Sequence, residues 1–299
     1  MDIADAPLPV IVNRSGGTAR RAGKGLAARL EQAFAALGTA IVLECVDGDA
    51  LEFALSRHAS APRLVIGGGD GTVASAAQVV ARHGGELAVL PLGTRNHFAR
   101  QLGIPLDLSA AAALAVSGTA RPVDLGDAQG RTFINNASAG AYVDLVHERE
   151  RTRLPRMLAQ AYGAARALVR LRSRSFALAI DGQRRTLATP LLFVGNNRYQ
   201  VPDGNPAERV SLTGGELSVF AVAPLGRLSL LMAVLRILAG RPRMHRDFAL
   251  QCPARELVIE GEGEIDITFD GEACRMPLPL TLRIRPRALL VVQPPEANG

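Results

Sequence analysis

Tryptophan is absent from the 299 residues, and aromatic side chains make up only 4% of them. Proteins that stack single-stranded bases need such rings, so nucleic acid is not expected as a partner, despite a net charge of +6. Cysteine is scarce. Cys45, Cys252 and Cys274 stand far apart, make no CxxC or Cys/His ligand spacing, and read as reduced core residues. His58, His83, His97, His147 and His245 are equally scattered, which removes support for a zinc site. Also missing is an uninterrupted apolar run of about 18 residues that could span a bilayer. The opening MDIADAPLPV carries acids and prolines where a secretory leader needs a basic start and an apolar stretch. The cytoplasm is therefore the expected compartment.

What is present is ample apolar material, 48% of the residues, enough to bury a large core in two domains. The positive balance favours an anionic partner such as nucleotide phosphates or an acidic membrane surface. From residue 9 to about 125, short apolar runs alternate with helix-like segments. Strands are expected at PVIVN (9–13), AIVLEC (40–45), RLVIGG (63–68) and ELAVLPL (86–92), with helices over 19–38 and 72–84. This is the pattern of a doubly wound parallel sheet. Beyond Asp124 the text becomes strand-rich: TFINNAS, SFALAIDG, RRTLATPLLFVGNN, GELSVFAVA, ELVIEGEGEIDITFDG and PLTLRIRPRALLVVQP. The expected division is an α/β domain over 1–125 and a mostly antiparallel β domain over 126–299. The last strands of the chain can return to the first domain, and a cleft is expected between the two.

In an open α/β sheet, ligands sit beyond the carboxyl ends of the strands. Three loops fall there. Asn13, Arg14, Ser15, Gly16 and Gly17 follow the first strand; Gly68, Gly69, Asp70, Gly71 and Thr72 follow the third; Pro91 to Asn96, including Thr94, follow the fourth. Glycines let backbone N–H groups approach phosphate oxygens, and Ser or Thr adds a hydroxyl donor. Asp70 among them would repel phosphate unless it holds Mg²⁺ or a proton. Each loop alone reads equally well as a tight turn with a capping residue. The first loop is neither GxxxxGK[ST] nor GxGxxG, which disfavours a P-loop enzyme or an ordinary dinucleotide dehydrogenase.

Gly68-Gly69-Asp70-Gly71-Thr72, followed by Pro91-Leu92-Gly93-Thr94-Arg95-Asn96-His97-Phe98-Ala99-Arg100, resembles the diacylglycerol kinase catalytic domain family, which includes bacterial lipid kinases and sphingosine kinases. GGDGT alone is shared with NAD kinases and phosphofructokinases; the second motif is the more specific. The resemblance continues through Val123-Asp124-Leu125-Gly126 and Phe133-Ile134-Asn135-Asn136 to Asp270-Gly271-Glu272. It implies a Rossmann-like nucleotide domain of the NAD kinase and phosphofructokinase type, an antiparallel β-sandwich, and phosphoryl transfer from ATP to a lipid hydroxyl. ATP would lie against Gly68 to Thr72, Thr94 and Asn96, with Asn13 to Gly17 close by. Mg²⁺ would be held by Asp70 and Asp124, and Glu272 or Asp270 would take the hydroxyl proton. Asp-Gly between strands is also an ordinary hairpin turn.

Two departures stand out. His97 occupies a position where the family usually has aspartate, and Thr213-Gly214-Gly215-Glu216-Leu217 lacks the aspartate of a metal-holding turn, so no regulatory metal is expected there. Two basic amphipathic helices are expected near 153–174 and 226–240, suited to peripheral contact with the anionic inner membrane surface and equally to core packing under a solvated basic face. The partners expected are a lipid substrate and no nucleic acid; a homodimer is compatible with the sequence. Two alternatives stay open: an NAD kinase-like enzyme, and a non-catalytic nucleotide- or lipid-binding relative.

Overall fold

The computed structural model describes residues 6–15, 25–140, 173–200, 208–223 and 247–295. The helices expected near 153–174 and 226–240 fall almost wholly outside these residues, as do Gly16 and Gly17. The chain divides into two compact units. One comprises the residues up to Val123 and those from Arg287 onward; the other runs from Asp124 to Pro286.

The first unit is built on β1 (Leu8–Asn13), α1 (Gly25–Ala35), β2 (Ile41–Val46), α2 (Leu51–Arg57), β3 (Arg63–Gly68), α3 (Asp70–His83), β4 (Glu86–Pro91), α4 (His97–Gln101) and α5 (Leu108–Ser117). The strands lie parallel in the order β2-β1-β3-β4. Residues 290 and 291, from the end of the chain, pair in parallel with Glu86 and Leu87. Val10, Ile11, Val12, Leu64, Val65 and Ile66 are fully or almost fully buried, as continuous apolar runs in a sheet covered on both faces require. Leu26, Leu30 and Phe34 recur every fourth residue on α1 and pack on Val10, Val12 and Val65. Helix α3 ends where Gly84 takes φ 73° and its N–H caps the Val80 carbonyl.

The second unit is antiparallel. After β5 (Thr119–Ala128), which crosses into it, come β6 (Arg131–Phe133), β7 (Asn136–Gly140), β8 (Arg174–Ile180), β9 (Gln183–Thr189), β10 (Leu191–Asn196), the short β11 (Tyr199–Gln200) and β12 (Glu208–Arg209), β13 (Leu217–Val222), β14 (Phe248–Ala254), β15 (Glu256–Glu260), β16 (Glu264–Phe269), β17 (Glu272–Pro277) and β18 (Leu280–Gln293), whose last residues belong to the first unit. One sheet has the order β14-β13-β10-β7-β16-β17. Strands β15, β8 and β9 and the first part of β18 form a second. Phe176, Leu178, Leu257 and Leu282 from this second sheet share one buried cluster with Ala139, Leu192, Val219, Ile267 and Phe269 from the first. The unit is thus a β-sandwich.

Three hairpins turn through two residues with positive φ: Gln129-Gly130, Asp181-Gly182 and Asp270-Gly271. This is the mirror-image turn whose twist matches that of the flanking strands. Two expected runs are interrupted. The stretch 184–197 breaks at Pro190, which has no N–H to offer a ladder, and 132–138 breaks between Phe133 and Asn136, where another group binds the backbone.

Candidate active site

In the strand order β2-β1-β3-β4 the chain reverses direction between β1 and β3, and the crevice at such a reversal is where open α/β sheets take ligands. The loops after those two strands are tied across it: Asn13 Nδ2 donates to Thr72 Oγ1 at 3.0 Å. The Asn13 carbonyl oxygen of the side chain accepts the Ser15 N–H, folding the first loop on itself. Arg14 pairs with Asp47 at 2.9 Å, and Ser15 Oγ accepts the Gly48 N–H at 3.2 Å, which binds this loop to the turn after β2. All three side chains cluster at one end of the sheet.

Asp70, the first residue of α3, turns its carboxylate to the start of α4. Its Oδ2 accepts the N–H of His97 at 3.2 Å and its Oδ1 that of Phe98 at 3.0 Å. The loops after β3 and β4 also meet backbone to backbone. The Leu92 N–H binds the Gly68 carbonyl, and a Cβ on Gly93 would stand 2.4 Å from Gly69 Cα. Gly93 has no room for a side chain, and one at Gly69 would press on Gly93 Cα at 3.3 Å. Asn96 takes φ 51° and spends its amide inside the loop, accepting from Gly93 N–H and donating to the carbonyls of Pro91 and Gly93. Thr94, Arg95 and His97 are exposed on the outer side of the same turn. His97 thus contributes its backbone N–H to Asp70. The glycines let the two turns close on each other, and the start of α3 with the exposed Thr94 on the turn tied to it fits a polyphosphate.

The remaining candidates belong to the second unit. Asp124 is fully buried; its Oδ2 accepts the Gly215 N–H at 2.7 Å, and its backbone is held by Leu212 and Asn196. Asp270, at φ 51° in the β16–β17 turn, receives the N–H groups of Ile134, Asn135 and Asn136 at 2.8, 2.7 and 3.1 Å. That docking interrupts the strand between Phe133 and Asn136. Glu272, two residues on, points outward, with its side chain 61% exposed and the guanidinium of Arg131 3.6 Å away. Asp270 is therefore engaged with the backbone, and Glu272 lies exposed beside Arg131.

Among the described residues, no group of three or more His, Cys, Asp or Glu side chains gathers as a metal cage. Asp70 keeps lone pairs beyond its two N–H bonds and fits a cation that draws its other ligands from phosphate and water, as Mg²⁺ does. The three cysteines are free and half-buried; burial pushes each thiol up from its ordinary value, with Arg14 acting against this at Cys45.

The pattern described as the diacylglycerol kinase catalytic domain matches residues 7–128, and that of the YegS C-terminal NAD kinase beta sandwich-like domain matches residues 136–293. A diacylglycerol kinase of Mycobacterium tuberculosis is 31% identical over 294 residues, covering 93% of this chain and 91% of its own length. The chain belongs to the diacylglycerol kinase family. A probable lipid kinase YegS-like of Pseudomonas aeruginosa is 52% identical over 99 residues, and this match spans about a third of each protein, 31% of this chain and 32% of the relative. In fold, the chain is similar to a putative diacylglycerol kinase from Bacillus anthracis, with a TM-score of 0.70 at 22% identity over 97% of both chains. Among the described residues, no helix is long and apolar enough to cross a membrane.

For a member of this family, the structure adds residues that the sequence pattern did not single out. Asn196 is fully buried and donates to the carbonyls of Asp124 and Ile134, linking two of the candidate segments. Asn197, at φ 68°, accepts the Gly214 N–H. Their one trace in the text is an Asn-Asn pair at the end of an apolar strand.

Proposed function

We propose that this chain is an ATP-dependent lipid kinase that phosphorylates a hydroxyl of diacylglycerol or a related lipid. The observation that carries the reading is the pair of glycine loops after β3 and β4, locked together by Asp70 next to the sheet's reversal point between β1 and β3. The N–H groups there and the hydroxyl of Thr94 would take the phosphates, with Asn13 to Ser15 bordering them. Asn96 acts by shaping the loop. Mg²⁺, where bound, neutralises phosphate charge, and Asp70 would hold it. Phosphoryl transfer asks little covalent chemistry of a protein: it needs positioning, charge stabilisation and one carboxylate that orients or deprotonates the nucleophile. Glu272 is that carboxylate. Asp124 and Asp270 act as positioning residues through the backbones they bind.

The deciding experiment is transfer of labelled phosphate from ATP to diacylglycerol, a sphingoid base and NAD, with and without Mg²⁺, repeated with Asp70→Ala. Labelled lipid that is lost in the variant supports the reading. Label on NAD alone favours an NAD kinase-like enzyme; ATP binding with no transfer favours a non-catalytic relative.

A further inference from the structure

Arg209 lies on β12 in the second unit, and among the described residues its guanidinium has no counter-ion. Nη2 donates to Asn135 Oδ1 at 2.8 Å and approaches the Tyr199 hydroxyl at 3.4 Å, while the guanidinium carbon stands 5.6 Å from the centre of the Tyr199 ring. Nε and Nη1 are sealed from solvent and have no hydrogen-bond partner. Together they carry three N–H donors. Among the described residues, no carboxylate pairs with this charge. A buried donor left without an acceptor costs about 1–3 kcal/mol, and more on a charged group. Folding alone gives no return for holding the charge there.

The surroundings are those of an anion subsite. The guanidinium is fixed in orientation by Asn135 and by the Tyr199 ring, and the Tyr199 hydroxyl donates to the Asn135 carbonyl at 3.2 Å. The Asn135 N–H is in turn held by Asp270. Arg209 is itself only partly buried, and Val210 beside it is 52% exposed.

We propose that Arg209, oriented by Asn135 and Tyr199, binds a phosphate-class oxyanion in the second unit. Planar guanidinium groups pair with phosphate oxygens through several N–H donors at once, which matches what is left unused here. The source of the anion is either free inorganic phosphate or the phosphate of a lipid headgroup. Only the second source rests on the kinase reading.

The test uses the full chain with its nucleotide loops filled by a non-hydrolysable ATP analogue. Inorganic phosphate is then titrated at constant ionic strength, reading its ³¹P line width and the unfolding temperature. Wild type is expected to show saturable phosphate binding, weakened about tenfold or more in Arg209→Gln, the equivalent of one charge-assisted hydrogen bond. Arg209→Lys, which keeps the charge without the planar fork, should fall between the two and guards against a misfolded variant. In a second arm, KM is compared for diacylglycerol and for a hydroxyl-bearing phosphoglycerolipid. A rise of about tenfold for the anionic lipid alone in Arg209→Gln identifies the headgroup as the source. Unchanged KM with lost phosphate binding identifies free phosphate. Equal phosphate binding and equal KM in wild type and both variants would overturn the proposal. Absence of transfer to any lipid strikes at the kinase reading, while the phosphate titration remains decisive for Arg209.

Discussion

The carboxylate of Asp70 receives the backbone N–H of Phe98 at 3.0 Å, and that of His97 at 3.2 Å, across 28 and 27 residues of chain. A charged side chain at the start of α3 thereby sets the position of α4, and with it the loop that carries Thr94. The two glycine loops keep their spacing because one carboxylate answers both N–H groups. In Asp70→Asn one of these acceptors becomes a donor facing an N–H. We expect a loss of about 1–3 kcal/mol in urea unfolding and a fall in lipid phosphorylation that added Mg²⁺ does not restore.

Gly93 and Gly69 approach so closely that a Cβ at Gly93 would lie 2.4 Å from Gly69 Cα and 2.5 Å from Asn96 Oδ1. Gly93→Ala must therefore part the two loops. The expected outcome is an overpacking cost of about 1–3 kcal/mol and a raised KM for ATP with the KM for lipid unchanged. Initial-rate kinetics with each substrate varied in turn checks it; equal KM values for ATP in variant and wild type would refute phosphate binding at these loops.

Asp270 and Glu272 sit two residues apart but have different work. Glu272→Gln should lower kcat by roughly 10²- to 10⁴-fold, the usual weight of a positioned proton acceptor, and leave the unfolding midpoint where it was. Asp270→Asn deprives three backbone N–H groups of a charged acceptor and should cost about 1–3 kcal/mol in stability. Denaturation curves and single-turnover rates on the two variants separate the roles. Similar stability losses in both would contradict the division.

Burial raises the thiols of Cys45, Cys252 and Cys274 in the folded chain, so the folded state holds these protons more tightly than the unfolded one. The stability this contributes is complete below the unfolded thiol value, 9.0, and is lost as pH rises through the folded values. Urea midpoints at pH 7 and pH 10 should therefore fall more for the wild type than for a variant with all three cysteines changed to alanine. Thiol labelling at pH 8 should be slow until denaturant is added, since the thiolate is the reactive form.

Runs such as PVIVN and RLVIGG are legible because a strand buried on both faces must be apolar throughout, and β1 and β3 lie over Leu8–Asn13 and Arg63–Gly68. The glycine loops are legible because only glycine allows the backbone approach they make. Local chemistry was enough for both. The partners of the acids were not readable in this way: Asp270 caps residues more than 130 positions earlier, and Asp124 answers Gly215. Asp-Gly specifies a turn, but not what the carboxylate finds once the turn is made.

By itself, then, the order of residues determined the two kinds of unit, the parallel strands of the first and the place of its glycine loops, since periodicity and glycine act within a few residues. Only the tertiary structure decided that Asp270 serves the backbone while Glu272 lies exposed beside Arg131, that Asn96 folds its own loop, and that Arg209 has donors to spare. Hydrogen bonds between distant segments are selected by the packing that brings those segments together, and no local pattern carries that information.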